Sequence, residues 1–506
     1  MNPHVIKVIA MERISKARRL IGPMALIGVI GVMVAFSVAG IVNPMLFYTP
    51  ERTAQISMLN TPGSRKIFTT YFYWYQSRGS DYANSPHCVE WWNSSALPSK
   101  VPSDPSKYPA GWPGPTNPLD MVKNVSGNYW HDSLSYHPPA ALPQYNSTGD
   151  VIESSLKNGI MENISSWFDW TNESWHQWEL RCMMRAGIDV LMPVYWWNEV
   201  QTMNPWAIVG LQTLVKAWYN LAPELVAEGQ ATNNLSAYQK MPKICMFYDT
   251  TCLKQLWAYN MSKNDTLTGN QSYTWYFNNG AGADLNDKYW KEKFWRFIDD
   301  FISTVTHIDG NCSFVWNDRY VVWLYSSTWF GDVGTSVFDY CREQCLHNYG
   351  HSINFVGGEG WKKAGVDGVC DWGACCNPHY PKESGIPVGG IGPGYYNIGA
   401  IAGQTPLYTA RDPSRYTSEW QDIMNAGAMW IHVETWNELH EGTGIAWSQE
   451  YGFKWIDLTR QMADIFHSMT NFNPYAMLNV VAIAGTLGAL IVILGVAGLT
   501  TRFKRI

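Results

Sequence analysis

Eight short apolar runs, spread over residues 66–436, restrict the fold of this chain more than any other feature. They are KIFTTYFYWY (66–75), GIDVLMPVYWW (187–197), KICMFYD (243–249), RYVVWLYSS (319–327), INFVGGEG (353–360), VDGVCDWG (366–373), GGIGPGYYNI (389–398) and AMWIHVETW (428–436). Continuous apolar runs of this length suit parallel strands covered on both faces. Helical patterns stand before three of them: SWHQWELRCMMRAG, DKYWKEKFWRFIDDFISTVTH (287–307) and SRYTSEWQDIMNAG. Strand and helix alternating over about 400 residues predict an α/β fold, a (β/α)8 TIM barrel. Residues 77–165 interrupt the alternation and are rich in Pro, Ser, Asn, Tyr and Trp. In a barrel, such an insertion after the first strand lies over the C-terminal face or forms a glycosylated surface flap.

Two charge-free apolar segments flank this region, 20–48 and 475–499. Each exceeds the roughly 20 residues a helix needs to cross a bilayer. Lys7, Arg13, Lys16, Arg18 and Arg19 precede the first, and Arg502, Lys504 and Arg505 follow the second. The positive-inside rule then puts both termini in the cytoplasm and everything between outside the plasma membrane. The expected organisation is a basic tail (1–19), a transmembrane helix (20–48), an extracytoplasmic barrel domain (49–470), a second transmembrane helix (475–499) and a basic tail (500–506). The first segment can also be read as a signal peptide cleaved near SVAG. GVIGVMVAFSVAG and GTLGALIVILGVAG are rich in small residues, which lets helices pack closely against a second copy or an envelope partner.

The region between the segments fits an outside location. It holds sequons at Asn93, Asn124, Asn146, Asn163, Asn172, Asn234, Asn260, Asn264, Asn270 and Asn311, which predict a glycoprotein. All 10 cysteines also lie there, and an even number outside the cell predicts disulfides. CDWGACCNPH offers Cys370, Cys375, Cys376 and His379 as an alternative metal set, with spacing that fits zinc patterns poorly. The net charge of -6 and the lack of a basic run in the middle of the chain give no sign of a nucleic-acid footprint, which needs a basic face.

Charged residues make up 15% of the chain, against about 25% in ordinary soluble domains. In so uncharged a chain, TWNELHEGTGI is conspicuous, because it sets Glu438, His440 and Glu441 just past the last predicted strand. Barrel enzymes place catalytic groups at that end. Two carboxylates at an aromatic-lined mouth suit glycoside hydrolysis, one protonated and assisting the leaving oxygen, the other acting as base or nucleophile. Two glutamates three apart are also common on helix surfaces. The 27 Trp and 28 Tyr offer flat faces for sugar rings, although any one of them could equally fill the core.

WNELHEGTGI resembles the NEWHEGTQIE signature of glycoside hydrolase family 99 and its relatives, which include endo-α-mannosidases. GPGYYN and then RDPSRYTSEWQDIMNAGAMWIHVETWNELHEGT are similar in order to that family's Pro-Gly-Tyr segment, Arg-containing loop, helix and last strand. RCMMRAGIDVLMPVYWWN and YFYWY resemble its earlier strands. The resemblance implies a retaining hydrolase of α-linked glycans, mannose-containing ones in particular, working through a 1,2-anhydro sugar without metal or cofactor. Carried over, Glu438 is the base at the sugar 2-hydroxyl, and Glu441 the acid and then the base at the glycosidic oxygen. His440 is implied in orientation or substrate contact, and Tyr73, Tyr75, Trp196, Trp197 and Tyr395 in the sugar subsites. Leu439, Gly444 and Ala446 depart from the pattern, which puts the substrate in question more than the reaction. A non-catalytic glycan-binding or structural envelope glycoprotein on the same barrel is the rival expectation.

Overall fold

A computed structural model describes residues 65–73, 92–93, 121–123, 129–131, 139, 143–146, 151–157, 169–196, 205–231, 241–253, 283–308, 312–328, 330–382, 385–396, 408–439, 441–448 and 450–469. Arg65–Met469 is one compact unit. The apolar segments 20–48 and 475–499, both basic tails and most sequons lie outside the described residues. No helix among the described residues is long and apolar enough to cross a membrane.

Each predicted apolar run contains a strand: β1 (Lys66–Tyr71), β2 (Val190–Tyr195), β3 (Met246–Tyr248), β4 (Arg319–Leu324), β5 (Ser352–Gly357), β6 (Gly368–Val369), β7 (Val388–Ile391) and β8 (Trp430–Val433). All neighbours are parallel, in the order β6-β5-β4-β3-β2-β1-β8-β7. A parallel bridge between Gly368 and Ile386, with Ile386 N donating to Asp367 O at 2.7 Å, draws β6 to the start of β7 and nearly closes the ring. The result is the expected eight-stranded parallel barrel.

Helices α1 (Glu173–Ala186), α2 (Pro205–Ala231), α3 (Lys288–Ile308), α4 (Ser336–Tyr349), α5 (Pro413–Asn425) and α6 (Lys454–Ser468) are the principal helices of the described residues. Their ends are written locally. Asn172 accepts from Ser174 N, and Asp412 accepts from Ser414 N with Pro413 at the first helical position. Such side-chain oxygens satisfy amides that the first turn leaves open. Gly187 ends α1 at φ 78°, where a Cβ would also press on Ala463 of α6. Within the 77–165 insertion, the described residues include a small antiparallel sheet, Trp92–Asn93 / Tyr129–His131 / Met121–Lys123, and the helix Glu153–Lys157.

Buried aromatics fill both the barrel interior and the layer between strands and helices. Phe68 packs against Trp430, Trp323 and Phe314 at ring distances of 4.8, 5.2 and 5.4 Å. Above them, His432 faces Trp323 at 5.1 Å and bonds Thr70 Oγ1 through Nε2 at 2.6 Å. Burial holds the His432 imidazole down at about 3, so it stays neutral. Tyr195 and Tyr248 point the other way, onto Phe301 and Phe294 of α3. Alternation along each strand thus fixes which side chains reach the barrel axis.

Candidate active site

The same alternation selects the residues at the C-terminal mouth. On β1 the interior positions are Phe68 and Thr70, and Phe72 continues the series past the strand end. On β3 and β4, Phe247 and Trp323 are interior, so Asp249 and Tyr325 follow on the same side. On β8, His432 is interior and Glu434 follows. At the mouth these residues surround Trp372, from the loop after β6. Its ring lies 5.4 Å from Phe247, 5.5 Å from Tyr325, 6.0 Å from His432 and 6.4 Å from Phe72, and is partly exposed.

The segment carrying Glu438 and Glu441 is pinned at several points. Thr435 N donates to Thr443 O at 3.2 Å, Ile445 N to Thr435 O at 3.1 Å, and the two threonine hydroxyls meet at 3.0 Å. Trp436 N reaches Thr70 O at 2.8 Å. Asn437 clasps the end of β1, accepting from Phe72 N at 2.7 Å and donating to Phe72 O at 3.0 Å. Trp436 Nε1 donates to Glu179 of α1 at 2.5 Å, and Trp175 Nε1 donates to its other oxygen at 2.9 Å. From the far side Arg411 donates to Gly442 O at 2.6 Å and Gly444 O at 2.7 Å. Its guanidinium sits 4.6 Å from the Tyr451 ring and 4.8 Å from that of Trp455. Glu438 is 8% exposed and its amide bonds Thr435 Oγ1 at 3.0 Å. Glu441 is partly open to solvent.

Burial pushes the Glu441 carboxyl up to about 7; the facing Cys376 adds to this, and a hydrogen bond from Tyr395 opposes it. Burial likewise raises Glu434 to about 7, against bonds from Cys375, Gly373 N and Ala374 N, with Glu441 adding repulsion. Asp249 rises to about 6 by burial, opposed by the Thr251 hydroxyl and amide. The phenols of Tyr325 and Tyr395 are raised first by burial and then by surrounding carboxylates, with Glu441 and Glu438 acting on both. Both glutamates therefore interact with the same two tyrosines. This is a mouth with a proton-holding carboxyl near neutral pH, a second carboxylate and aromatic walls, an arrangement able to give and take protons at a bound polar group.

Of the residues expected to touch sugar, Tyr395 meets Glu441, and Trp196 is half-buried on the interior parity of β2. Tyr73 differs from expectation. It is fully buried and donates to Ala207 O at 2.8 Å beneath α2, where its ring also fills the space beside Gly210. It continues the outward series of Tyr71, whose hydroxyl meets His176 of α1. Tyr75, Trp197 and His440 lie outside the described residues. The three departures from the family pattern are buried, Leu439 at 2%, Ala446 at 5%, and Gly444 presenting its carbonyl to Arg411.

The expected disulfides do not form among the described residues. Cys182, Cys245, Cys252, Cys312, Cys341, Cys345, Cys370, Cys375 and Cys376 are free thiols, eight of them buried. Cys375 and Cys376 come closest, at 4.0 Å between sulfurs. Among the described residues, no group of three or more His, Cys, Asp or Glu side chains could hold a metal ion. Glu434, Asp249, Tyr325 and Trp372 are site residues that motif reading did not single out, although strand parity points to the first three. A separate cavity of about 660 Å³ opens at the opposite end of the barrel, among Lys66, Asp189, Lys243, Arg460 and His467. Its walls are partly paired, His467 to Asp189 at 2.8 Å and Arg460 to Asp464 at 2.9 Å.

Residues 141–476 match the family described as "Domain of unknown function (DUF5010)". No curated protein matches the chain. Among solved structures, it is similar to a GH99 endo-alpha-mannosidase from Bacteroides thetaiotaomicron in complex with bis-tris-propane, at 13% identity and TM-score 0.42, covering 80% of this chain and 98% of that one. A second structure of a GH99 endo-alpha-mannosidase from that organism gives 14% identity and TM-score 0.41 over the same shares. A "Glycoside hydrolase-like protein" gives 12% identity and TM-score 0.42, covering 58% of this chain and 86% of that one.

Proposed function

The chain belongs to the family described as Domain of unknown function (DUF5010), and we propose that its barrel is a glycoside hydrolase that cleaves α-linked glycans with retention of configuration. The observation that carries this reading is the Glu441 carboxyl. It is held near 7 beside Tyr395 at the C-terminal mouth, on the same pinned segment as Glu438. A group with that affinity for protons can protonate a leaving oxygen and later take a proton from water at neutral pH. The resemblance of WNELHEGTGI to the family 99 signature supports the same assignment.

In this reading Glu441 donates its proton to the glycosidic oxygen as the bond to the anomeric carbon breaks. Glu438 takes the proton of the sugar 2-hydroxyl, whose oxygen attacks the anomeric carbon and closes a 1,2-anhydro ring. Water then opens that ring, with Glu441 removing its proton and Glu438 returning one to the 2-oxygen. Two displacements at one carbon restore its configuration. Mannose-containing glycans are the proposed class, since the 2-hydroxyl must reach the anomeric carbon from the face opposite the leaving group. Trp372, Tyr325, Tyr395 and Trp196 are the proposed walls for the rings.

The proposed setting is the cell surface, with 20–48 and 475–499 as spans and the sequons glycosylated. Enzymatic deglycosylation of the native protein followed by gel mobility tests the latter. The reaction itself is tested with a library of α-linked glycans scored for both cleavage and binding. Cleavage by the wild type, lost in Glu438→Gln and Glu441→Gln by about 10²–10⁴-fold in kcat, is the expected result. Tight binding without turnover in any member sinks the hydrolase and favours a glycan-binding protein. Undiminished turnover in both variants sinks the residue assignment.

A further inference from the structure

The loop that leaves β6 carries two adjacent thiols beside the mouth that the proposed hydrolysis does not use. Gly373 N and Ala374 N donate to Glu434 at 2.9 and 3.1 Å, which turns the chain so that Cys375 and Cys376 follow directly. Their sulfurs are 4.0 Å apart. Cys375 is 2% exposed and bonds Glu434. It is also clamped from behind, since even a Cβ on Gly392 would overlap its Cα and Cβ. Cys376 is only half-buried. The Thr409 hydroxyl and the Arg415 guanidinium face it, with Glu441 on another side. Arg415 is fixed there by Pro393 O at 3.0 Å and Glu419 at 3.0 Å.

We propose that Cys375 and Cys376 form an oxidant-responsive thiol pair, a modification site whose state alters the electrostatics of Glu441. Hydrogen bonds from Cys375 and Thr409, with Arg415 nearby, lower the Cys376 thiol, and it is the more exposed of the two, so its sulfur is the reactive partner. By contrast, burial pushes the Cys370 thiol upward. The oxidant is a hydroperoxide, hydrogen peroxide in the simplest case. The Cys376 thiolate attacks one peroxide oxygen, the O–O bond breaks, and the departing hydroxide takes a proton to become water. The sulfur, now oxidised by two electrons, is a sulfenic acid. Cys375 sulfur attacks it, the S–O bond breaks, and hydroxide leaves with the Cys375 proton as a second water. The sum is two thiols and one peroxide giving one disulfide and two waters.

Closing the bond brings the sulfurs from 4.0 Å to about 2.05 Å. With Cys375 clamped, Cys376 makes the movement and leaves Thr409. A negative charge facing Glu441 is then lost, while Glu434, Glu438 and the neutral phenols of Tyr395 and Tyr325 remain around it. Glu441 consequently ionises at lower pH. This last consequence rests on the reading of Glu441 as the acid and base of hydrolysis, whereas the thiol chemistry does not.

The test uses the full chain, reduced, freed of reductant and treated with hydrogen peroxide, then alkylated, digested and sequenced by mass spectrometry. The peptide between Lys363 and Lys382 should lose two hydrogens with Cys375 and Cys376 linked, and dithiothreitol should reverse it. In the untreated native protein, iodoacetamide should label Cys376 at least tenfold faster than Cys370. Equal labelling rates and no linked peptide overturn the proposal, whatever the hydrolytic activity. The basic limb of the pH–rate profile should move to lower pH on oxidation and return with dithiothreitol, while Cys376→Ser should not respond to peroxide. A linked pair with an unmoved limb overturns the coupling to Glu441. Linkage without hydrolysis in either state leaves the thiol site standing and counts against the hydrolase reading instead.

Discussion

At the level of single residues, the chemistry of the mouth turns on what surrounds Glu441. Burial and the charge of Cys376 raise its carboxyl, and the Tyr395 hydroxyl lowers it by hydrogen-bonding the ionised form. Removing that hydroxyl with Tyr395→Phe should raise Glu441 further and shift the basic limb of kcat/KM to higher pH. A limb that stays put or moves to lower pH shows that Tyr395 does not set this group. The pair Glu438 and Glu441 was legible from its position after a strand-like run. Of its neighbours, Tyr395 was reached through the family resemblance, whereas Cys376 and Tyr325 come from two other stretches of chain and meet the pair only when the barrel closes. Tyr73 shows where aromatic counting misleads. Its side chain follows Tyr71 outward to the helices, and strand parity, rather than ring type, decides that.

At the scale of the element, the segment after β8 is held by contacts from β1, α1 and the loop before α5. Arg411 matters most to its outer half, because it donates to the carbonyls of Gly442 and Gly444, which flank Thr443 just after Glu441. Arg411→Ala should cost about 1.5–3 kcal/mol of stability, the range for hydrogen bonds to a charged group. It should also lower kcat more than it changes KM, since the substitution loosens the acid rather than a ring wall. Urea unfolding and steady-state kinetics on one preparation test both, and a variant with wild-type kcat contradicts the assignment of Arg411 as a positioning residue. Strands and three of the helices were readable here for local reasons. Apolar runs mark β1 to β8, and the helical patterns before three of them mark α1, α3 and α5. Strand ends were not, because runs such as YFYWY stay apolar beyond the last ladder bond, where Phe72 is held by Asn437 instead.

At the scale of the whole molecule, the interior stores ionisable groups in neutral form. Glu179, Glu434 and Glu441 are each raised from 4.5 to about 7, with burial the largest cause. Between those values the folded state holds protons that the unfolded chain has released, so stability falls as pH rises through this window. His176 and His432 are lowered from 6.5 to about 4 and about 3, again chiefly by burial. There the unfolded chain holds the extra protons, and stability rises with pH until about 6.5. Where the windows overlap these three carboxyls, joined by Asp249, outweigh two imidazoles, and toward pH 9 the lowered Cys376 thiol acts in the opposite sense to them. The midpoint of thermal unfolding should therefore decline from about pH 5 to pH 7. A midpoint that climbs over this range contradicts the protonation states assigned to the core. The cysteine pattern misled for a related reason, since nine thiols serve as packing or as the pair beside the mouth and not as crosslinks among the described residues.

In the proposed mechanism Glu438 and Glu441 carry out two successive displacements at the anomeric carbon of an α-linked glycan. Proton NMR of the first minutes of hydrolysis, before the freed sugar mutarotates, reads the outcome directly. Retention gives an α-configured reducing end as the initial product, absent when Glu441→Gln replaces the wild type. A β-configured initial product, or an α product formed equally fast by the variant, would contradict it.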